Sequence, residues 1–199
     1  MRPGLLAACT AALAVLLAGC GSSIRSDTAA LPRSLVLQAR PVGRGPRFQS
    51  PVSGHIVDAC RPRLGARHGS HIELFAENRV VIVPAGIGTL PPRKTLSGRI
   101  TSARCYSELA TLEPTGLVLV RAGSRPTVAD LFHGWGQPLS PVRLGPFDAP
   151  RGTRVRVFVD GRPWRAAPGA VPLRPHAVIV LEVGPYVPPH VSYRFPPGT

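Results

Sequence analysis

His71-Ile72-Glu73-Leu74-Phe75-Ala76-Glu77-Asn78-Arg79-Val80-Val81-Ile82-Val83-Pro84 is the stretch that sets the fold class. Its first six residues alternate loosely, Glu77-Asn78-Arg79 makes a turn, and the β-branched run that follows is stopped by proline, so it predicts a β-hairpin. Downstream, Pro84-Ala85-Gly86-Ile87-Gly88 is a bend that needs glycine's freedom. Residues 89–99, with Pro91, Pro92 and Gly98, read as a loop. Arg99 to Tyr106 reads as a short strand carrying Cys105, and the almost wholly apolar residues 116–121 read as a central strand. Val155-Arg156-Val157-Phe158-Val159 alternates cleanly into Asp160-Gly161, a turn signal, and Pro163 confines the strand after it to a sheet edge. Residues 177–183 are the last buried strand and end at Gly184. The segments 71–84 and 154–167 share a strand, a central Phe, a turn ending in Arg and a second strand. Either an internal duplication or two similar hairpins of one domain would produce that echo.

One segment breaks the β pattern. Thr127 precedes Val128, Leu131, Phe132 and Trp135, whose spacings of three, four and seven place them on one helical face. Asp130 stands three residues after Thr127, close to a capping box, and Gly134 and Gly136 end the helix. The expected class is therefore α+β, mainly β: hairpin-rich sheets in two layers with one short helix and one disulfide. Phe75, Phe132, Trp135 and Phe158 are the expected core aromatics.

Leu17-Ala18-Gly19-Cys20 resembles the lipobox of a bacterial lipoprotein signal peptide. Arg2 precedes an apolar run from Leu5 to Leu17, small residues lead into the cysteine, and Gly21, Ser22 and Ser23 follow. The run is too short to span about 30 Å of hydrocarbon as a permanent helix. The resemblance implies cleavage before Cys20, a diacylglycerol on its thiol, and a mature chain held by that lipid at the outer face of the cell membrane. A plain secretory signal or an uncleaved anchor is the alternative. The chain then divides into a signal peptide at 1–19, a lipidated tether at 20–51, a β-rich globular domain at 52–184 and a Pro-rich tail at 185–199. A flexible tether of about 30 residues reaches on the order of 30 Å. In the tail, Tyr186, Tyr193 and Phe195 are placed to pin an extended chain to the domain.

Compartment sorts the four cysteines. Cys9 falls in the signal peptide and Cys20 is the lipid acceptor, which leaves Cys60 and Cys105 as a pair in an oxidising compartment. A disulfide is the expected state; a thiolate metal site or two free thiols are the other readings. The formal charge of +14 loses only Arg2 with the signal peptide, 14 − 1 = +13, and Lys94 is the sole lysine. At an outer membrane face this charge favours anionic lipid or cell-envelope polymers, each near-surface cation adding on the order of 1 kcal/mol at most. Nucleic acid is not expected as a partner: the protein is exported, the arginines are evenly scattered, and no dense basic run alternates with aromatics.

Catalytic motifs are missing from the pattern. No serine sits in a Gly-x-Ser-x-Gly elbow, acidic residues are few and scattered, and Gly43-x-Gly45 and Gly86-x-Gly88 lack the strand-to-helix context of a phosphate cradle. The expectation is a non-catalytic binding or envelope-interaction module without a cofactor. The six histidines, His55, His68, His71, His133, His176 and His190, raise metal binding as the alternative. His68 and His71 are three apart at a strand entry, where such residues point to opposite faces.

From about Gly54 to Phe195 the order of motifs resembles a family of uncharacterised exported proteins of actinobacteria and archaea. The matching pieces are Cys60, then His71-Ile72-Glu73-Leu74-Phe75, the bend 84–88, Cys105-Tyr106, Thr127 through Trp135-Gly136 with Gln137-Pro138-Leu139, Val157-Phe158-Val159-Asp160-Gly161, and His176 before Ile179-Val180-Leu181-Glu182-Val183-Gly184. After its Cys-Tyr the family pattern runs Leu-His-Thr-His-Asp-x-x-Gly-x-x-His-x-Glu, which implies a metal site. Here Leu109, Thr111 and Gly116 are kept, but the histidine positions hold Ala110, Leu112 and Leu119. Glu113 replaces the Asp, and Arg121 the final Glu. The resemblance therefore implies a retained scaffold with a degenerate metal site. The alternative is a copper- or zinc-handling lipoprotein using the matched histidines His71 and His176, with His68 or His133 as further ligands.

Overall fold

The chain's structure, a computed structural model, describes residues 52–199 apart from Val57 and Asn78. The lipobox, Cys20 and the tether at 20–51 lie outside the described residues. Strand β1 (Arg67–Ala76) turns through Glu77 into β2 (Arg79–Val81), and the two pair antiparallel with Leu74 opposite Val81. The predicted hairpin is present, with its second strand shorter than the apolar run. On its other side β1 pairs in parallel with β12 (Val178–Val183), His71 opposite Val178 and Ala76 opposite Val183. A parallel pair of this kind is covered on both faces, and all six β12 residues are buried.

The remaining strands of the sheet are β5 (Leu109–Ala110), β6 (Leu117–Arg121), β10 (Arg156–Val159) and β11 (Arg162–Pro163). Together they form a seven-stranded mixed sheet in the order β11-β10-β12-β1-β6-β5, with β2 also on β1. The two hairpins expected as separate layers thus belong to one sheet, because β12 inserts between β10 and β1 and joins them. The strand expected to be central is β6, which lies between β1 and the short edge strand β5. Pro163 sits on the edge strand β11, as its missing N–H requires.

Residues 89–99, expected as a loop, instead form most of a second, two-stranded ribbon of β3 (Thr89–Leu96) and β4 (Arg99–Tyr106). Pro91 and Pro92 are tolerated because β3 is a strand with only one neighbour, and the register shifts between Leu90 and Arg93. A three-stranded sheet of β7 (Leu139–Ser140), β8 (Arg143–Leu144) and β9 (Phe147–Asp148) follows the helix.

That helix, α1 (Val128–Trp135), starts where predicted. The Thr127 backbone N–H and hydroxyl donate to Asp130 Oδ2 at 2.7 and 2.9 Å. Its apolar face joins Ile72, Leu74, Val118, Ile179 and Leu181 in one buried cluster on one face of the large sheet. Phe75 and Phe158 are buried as expected, but on the opposite face, with Val80 and Val180.

Cys60 and Cys105 form the disulfide, with Cα atoms 5.4 Å apart. Beside it Arg61 and Tyr106 exchange two backbone hydrogen bonds of 2.9 and 2.8 Å. A cross-link over 45 residues of sequence restricts the unfolded chain by roughly 4 kcal/mol on the entropic model. It ties the first part of the domain to the end of the β3–β4 ribbon.

Candidate functional site

Beyond Gly184 the extended tail runs back over the sheet face that α1 leaves uncovered. Gly69 makes room for it, since a Cβ there would stand 2.9 Å from both Leu117 and Phe195. Along β1 the residues on this face are His71, Glu73 and Phe75, and the tail answers each in turn. Tyr193 stacks on His71 with ring centroids 3.7 Å apart, and His190 Nδ1 lies 2.7 and 2.9 Å from the two Glu73 oxygens. Further along, the Val187 N–H donates to Glu182 Oε2 at 2.8 Å while Arg156 Nε donates to Glu182 Oε1 at 2.7 Å. The tail is extended, as its prolines imply, and it is seated by Tyr186 against Phe158, by Tyr193 and by Phe195.

Burial governs the electrostatics here. Desolvation lowers the His71 pKa to about 4, with the Thr115 carbonyl, 2.9 Å from Nε2, opposing the shift. The ring is therefore neutral at pH 7. Its Nδ1 faces Glu73 Oε1 at 3.6 Å and makes no hydrogen bond. Burial also raises the Glu73 carboxyl above its ordinary value, and His190 opposes that shift.

The two histidines singled out as metal ligands do not meet. His176 is exposed, with Nε2 2.7 Å from the Thr199 carbonyl, and its ring stacks on Phe195; Phe195 meets Tyr193 edge-on, and Tyr193 stacks on His71. Two aromatic rings thus stand between the imidazoles. His68 Nε2 bonds the Leu173 carbonyl, and His133 is exposed on α1. Among the described residues no group of three or more His, Cys, Asp and Glu is placed to hold a metal.

Ala110, Leu112 and Leu119 converge. Ala110 pairs with Leu119 across β5 and β6, and both join Leu112, Ile100, Tyr106 and Leu117 in one apolar cluster. Thr111, the retained residue between them, points the other way and holds the bend at 84–88. Its hydroxyl donates to the Pro84 carbonyl at 2.7 Å and accepts from the Ile87 N–H at 3.1 Å. Gly88, at φ 68°, packs against the Leu109 carbonyl where a Cβ would collide. The segments 84–88 and 109–112 are therefore one interlocked unit.

A groove of about 590 Å³ opens at the β10–β11 edge, within the size range of ligand sites. Its floor is apolar, from Pro141, Val155, Phe158, Trp164 and Pro168, and Arg154 and Arg165 stand at its rim. Both rim arginines are exposed and make no ion pair among the described residues. Arg156, beside them, is engaged with Glu182 and the Gly184 carbonyl. Sequence reasoning missed this groove, because a hairpin edge and the 3-10 turn at Pro168–Ala170 build it jointly. It also missed the contact between Glu73 and His190, for which the signals were the i, i+2 spacing of His71 and Glu73 on a strand and the histidine in an aromatic, Pro-rich tail.

Comparison with family models, with curated proteins and with solved structures finds no match. The resemblance in motif order rests on the residues quoted for it.

Proposed function

We propose that this chain is a lipid-anchored, extracytoplasmic and non-catalytic module that binds phosphate-bearing polymers of the cell envelope through the groove beside Trp164. The single observation that carries this reading is the pair Arg154 and Arg165, two cations without carboxylate partners among the described residues at the rim of an apolar groove. Guanidinium groups recognise phosphate through paired, charge-assisted hydrogen bonds, and an indole in the floor offers a face for the apolar side of a sugar or polyol unit. The lipobox at Leu17–Cys20 and the oxidised Cys60–Cys105 pair support the address.

The test uses the purified full chain and poly(glycerol phosphate), with neutral dextran as the control polymer. Binding to the phosphate polymer weakens about tenfold or more in an Arg154→Gln/Arg165→Gln variant, in line with the worth of a charged hydrogen bond. Equal binding by wild type and variant overturns the groove as the site. Labelled palmitate enters the wild-type chain in a bacterial host and fails to enter a Cys20→Ala variant; incorporation in both overturns the anchor.

In the same reading the metal site is degenerate. Support comes from the apolar cluster of Ala110, Leu112 and Leu119, which fills the place where three imidazoles would have converged. Copper(II) and zinc(II) then bind the wild type no better than a His71→Ala variant. Tight binding at one equivalent, lost in that variant, overturns the degenerate-site reading in favour of a metal-handling protein.

A further inference from the structure

We propose that the β3–β4 ribbon is the face this module lays on an anionic lipid surface, an inference that rests on the lipid-anchored reading above. Among the described residues the ribbon has no third strand, and nine consecutive residues, 91–99, are exposed. Its tip is Leu96, 70% exposed, followed by the Ser97-Gly98 turn.

The charge on this element has one sign. Between Arg79 and Ser107 the sequence has no Asp or Glu, while Arg93, Lys94, Arg99 and Arg104 all fall within the ribbon. Arg93 is committed to the fold through Thr89, by bonds of 2.7 Å to its hydroxyl and 2.6 Å to its carbonyl. Arg99 lies 3.8 Å from Glu113. Lys94 and Arg104 are exposed and have no ion-pair partner among the described residues. Lys94 stands opposite Ser102, two residues from Arg104. An exposed leucine at the tip with unpaired cations behind it matches the boundary of an anionic bilayer, where the aliphatic tip meets acyl chains and the cations meet head groups.

The start of the described chain points the same way. The N-terminal part of the domain is fixed to the base of the ribbon by the disulfide and by the Arg61–Tyr106 backbone pair, and Arg61 and Arg63 add two exposed cations there. The first described residues, 52–56, lie between the end of α1, where the Ser53 N–H donates to the Trp135 carbonyl at 3.0 Å, and Gly88, Thr89 and Leu90 at the base of the ribbon. The ribbon adjoins the chain just after β5, the edge strand of the large sheet, through the Ile100 N–H to the Leu112 carbonyl at 2.8 Å. The groove lies at the β11 edge. Five strand spacings separate the two, about 24 Å. With the ribbon down, the groove faces away from the bilayer.

Lys94, as the sole lysine, supplies the measurement. The full lipidated chain is reconstituted on vesicles of phosphatidylcholine alone or with one-third phosphatidylglycerol, treated with an amine-acylating reagent, and the modification at Lys94 is followed by peptide mass spectrometry. Acylation is expected to slow about tenfold on the anionic vesicles and to recover in 1 M salt, where the screening length falls to about 3 Å. An Arg99→Gln/Arg104→Gln variant should lose most of that protection. An Arg125→Gln/Arg151→Gln variant, with the same charge removed from exposed sites elsewhere, should keep it. Equal acylation on the two vesicle types, or equal loss in the two double variants, overturns the proposal. Flotation with the neutral vesicles reads the lipid anchor separately: a chain that fails to float there but shows Lys94 protection on anionic vesicles refutes the anchor and leaves the ribbon face standing.

Discussion

The two faces of the seven-stranded sheet are stabilised by different physics. On the α1 face the contacts are aliphatic and aromatic, drawn from six strands of the sheet, the small sheet after the helix and a capped helix, and every side chain there gains by leaving water. On the tail face His71, Glu73 and Glu182 are buried among Phe75, Val180 and Leu117, and each polar group depends on a named partner from the tail or a neighbouring strand. Hydrophobic packing tolerates small shifts, whereas a buried carboxylate without its donor bears the full cost of desolvation. The first face should therefore govern overall stability, and the second should govern how stability responds to pH.

The largest effect is expected on the α1 face. Phe132 is 1% exposed and packs at 5.6 Å between ring centroids from Trp135. Phe132→Ala should cost about 3–5 kcal/mol in equilibrium unfolding by denaturant. A loss below about 1 kcal/mol would mean that the helix is not the cover this face requires.

Local signals carried most of what the sequence made legible. The capping pair Thr127 and Asp130, the turn at Asp160-Gly161, the edge residue Pro163 and the Cys60–Cys105 pair all act over short spans or by compartment, and each is present. The parallel pairing of β1 with β12 was not legible, because strand runs alone do not say which partner inserts where. Residues 89–99 were misread because two prolines outweighed the strand signal, although a ribbon strand with one open side has no use for their missing N–H groups. At the sites, His71 and His176 stand out through the motif-order resemblance alone. Their separation by Tyr193 and Phe195 depends on a tail whose course no periodicity encodes.

On the tail face the second-largest effect is a pH dependence. His71 takes up its proton near pH 4 when folded and near 6.5 when unfolded. Between those values the unfolded chain holds more protons, so stability is fully present above 6.5 and is lost as pH falls towards 4, by about 3 kcal/mol from this group. Glu73 acts in the opposite sense. Its raised folded value means that the folded chain takes the proton first, which adds stability as pH falls through that range. Unfolding measured from pH 8 to 4 should therefore show a flatter profile in His71→Gln and a steeper acid loss in Glu73→Gln. Identical profiles in wild type and His71→Gln would show that the imidazole is hydrated in solution.

Next in size is Glu182, 0% exposed and held by Arg156 Nε and the Val187 N–H. Glu182→Gln keeps the shape but turns one of the two accepting oxygens into an NH2 donor, so the Arg156 guanidinium keeps the remaining oxygen and the Val187 N–H loses its acceptor, for an expected cost of about 2 kcal/mol. Because Arg156 is partly exposed and can hydrate, the loss should stay below that of cutting a fully buried pair. The same variant should make the backbone amide of Val187 exchange faster, by freeing it from its acceptor.

The smallest effect separates the two ends of the strap. His190 is 42% exposed at its side chain, so its contact with Glu73 is screened by water on one side. His190→Ala should cost about 1 kcal/mol in global unfolding, the screened contact plus the desolvation of a Glu73 carboxyl that partly hydrates once the ring is gone. Its local consequence is larger than that figure implies, because it leaves the Glu73 carboxylate with no close donor. Proteolysis under native conditions should therefore cut the segment 186–193 sooner in His190→Ala than in wild type, while the α1 face stays protected. If cleavage instead tracks global unfolding in both proteins, the tail is integral to the cooperative unit, and the two faces differ in chemistry but not in the order in which they open.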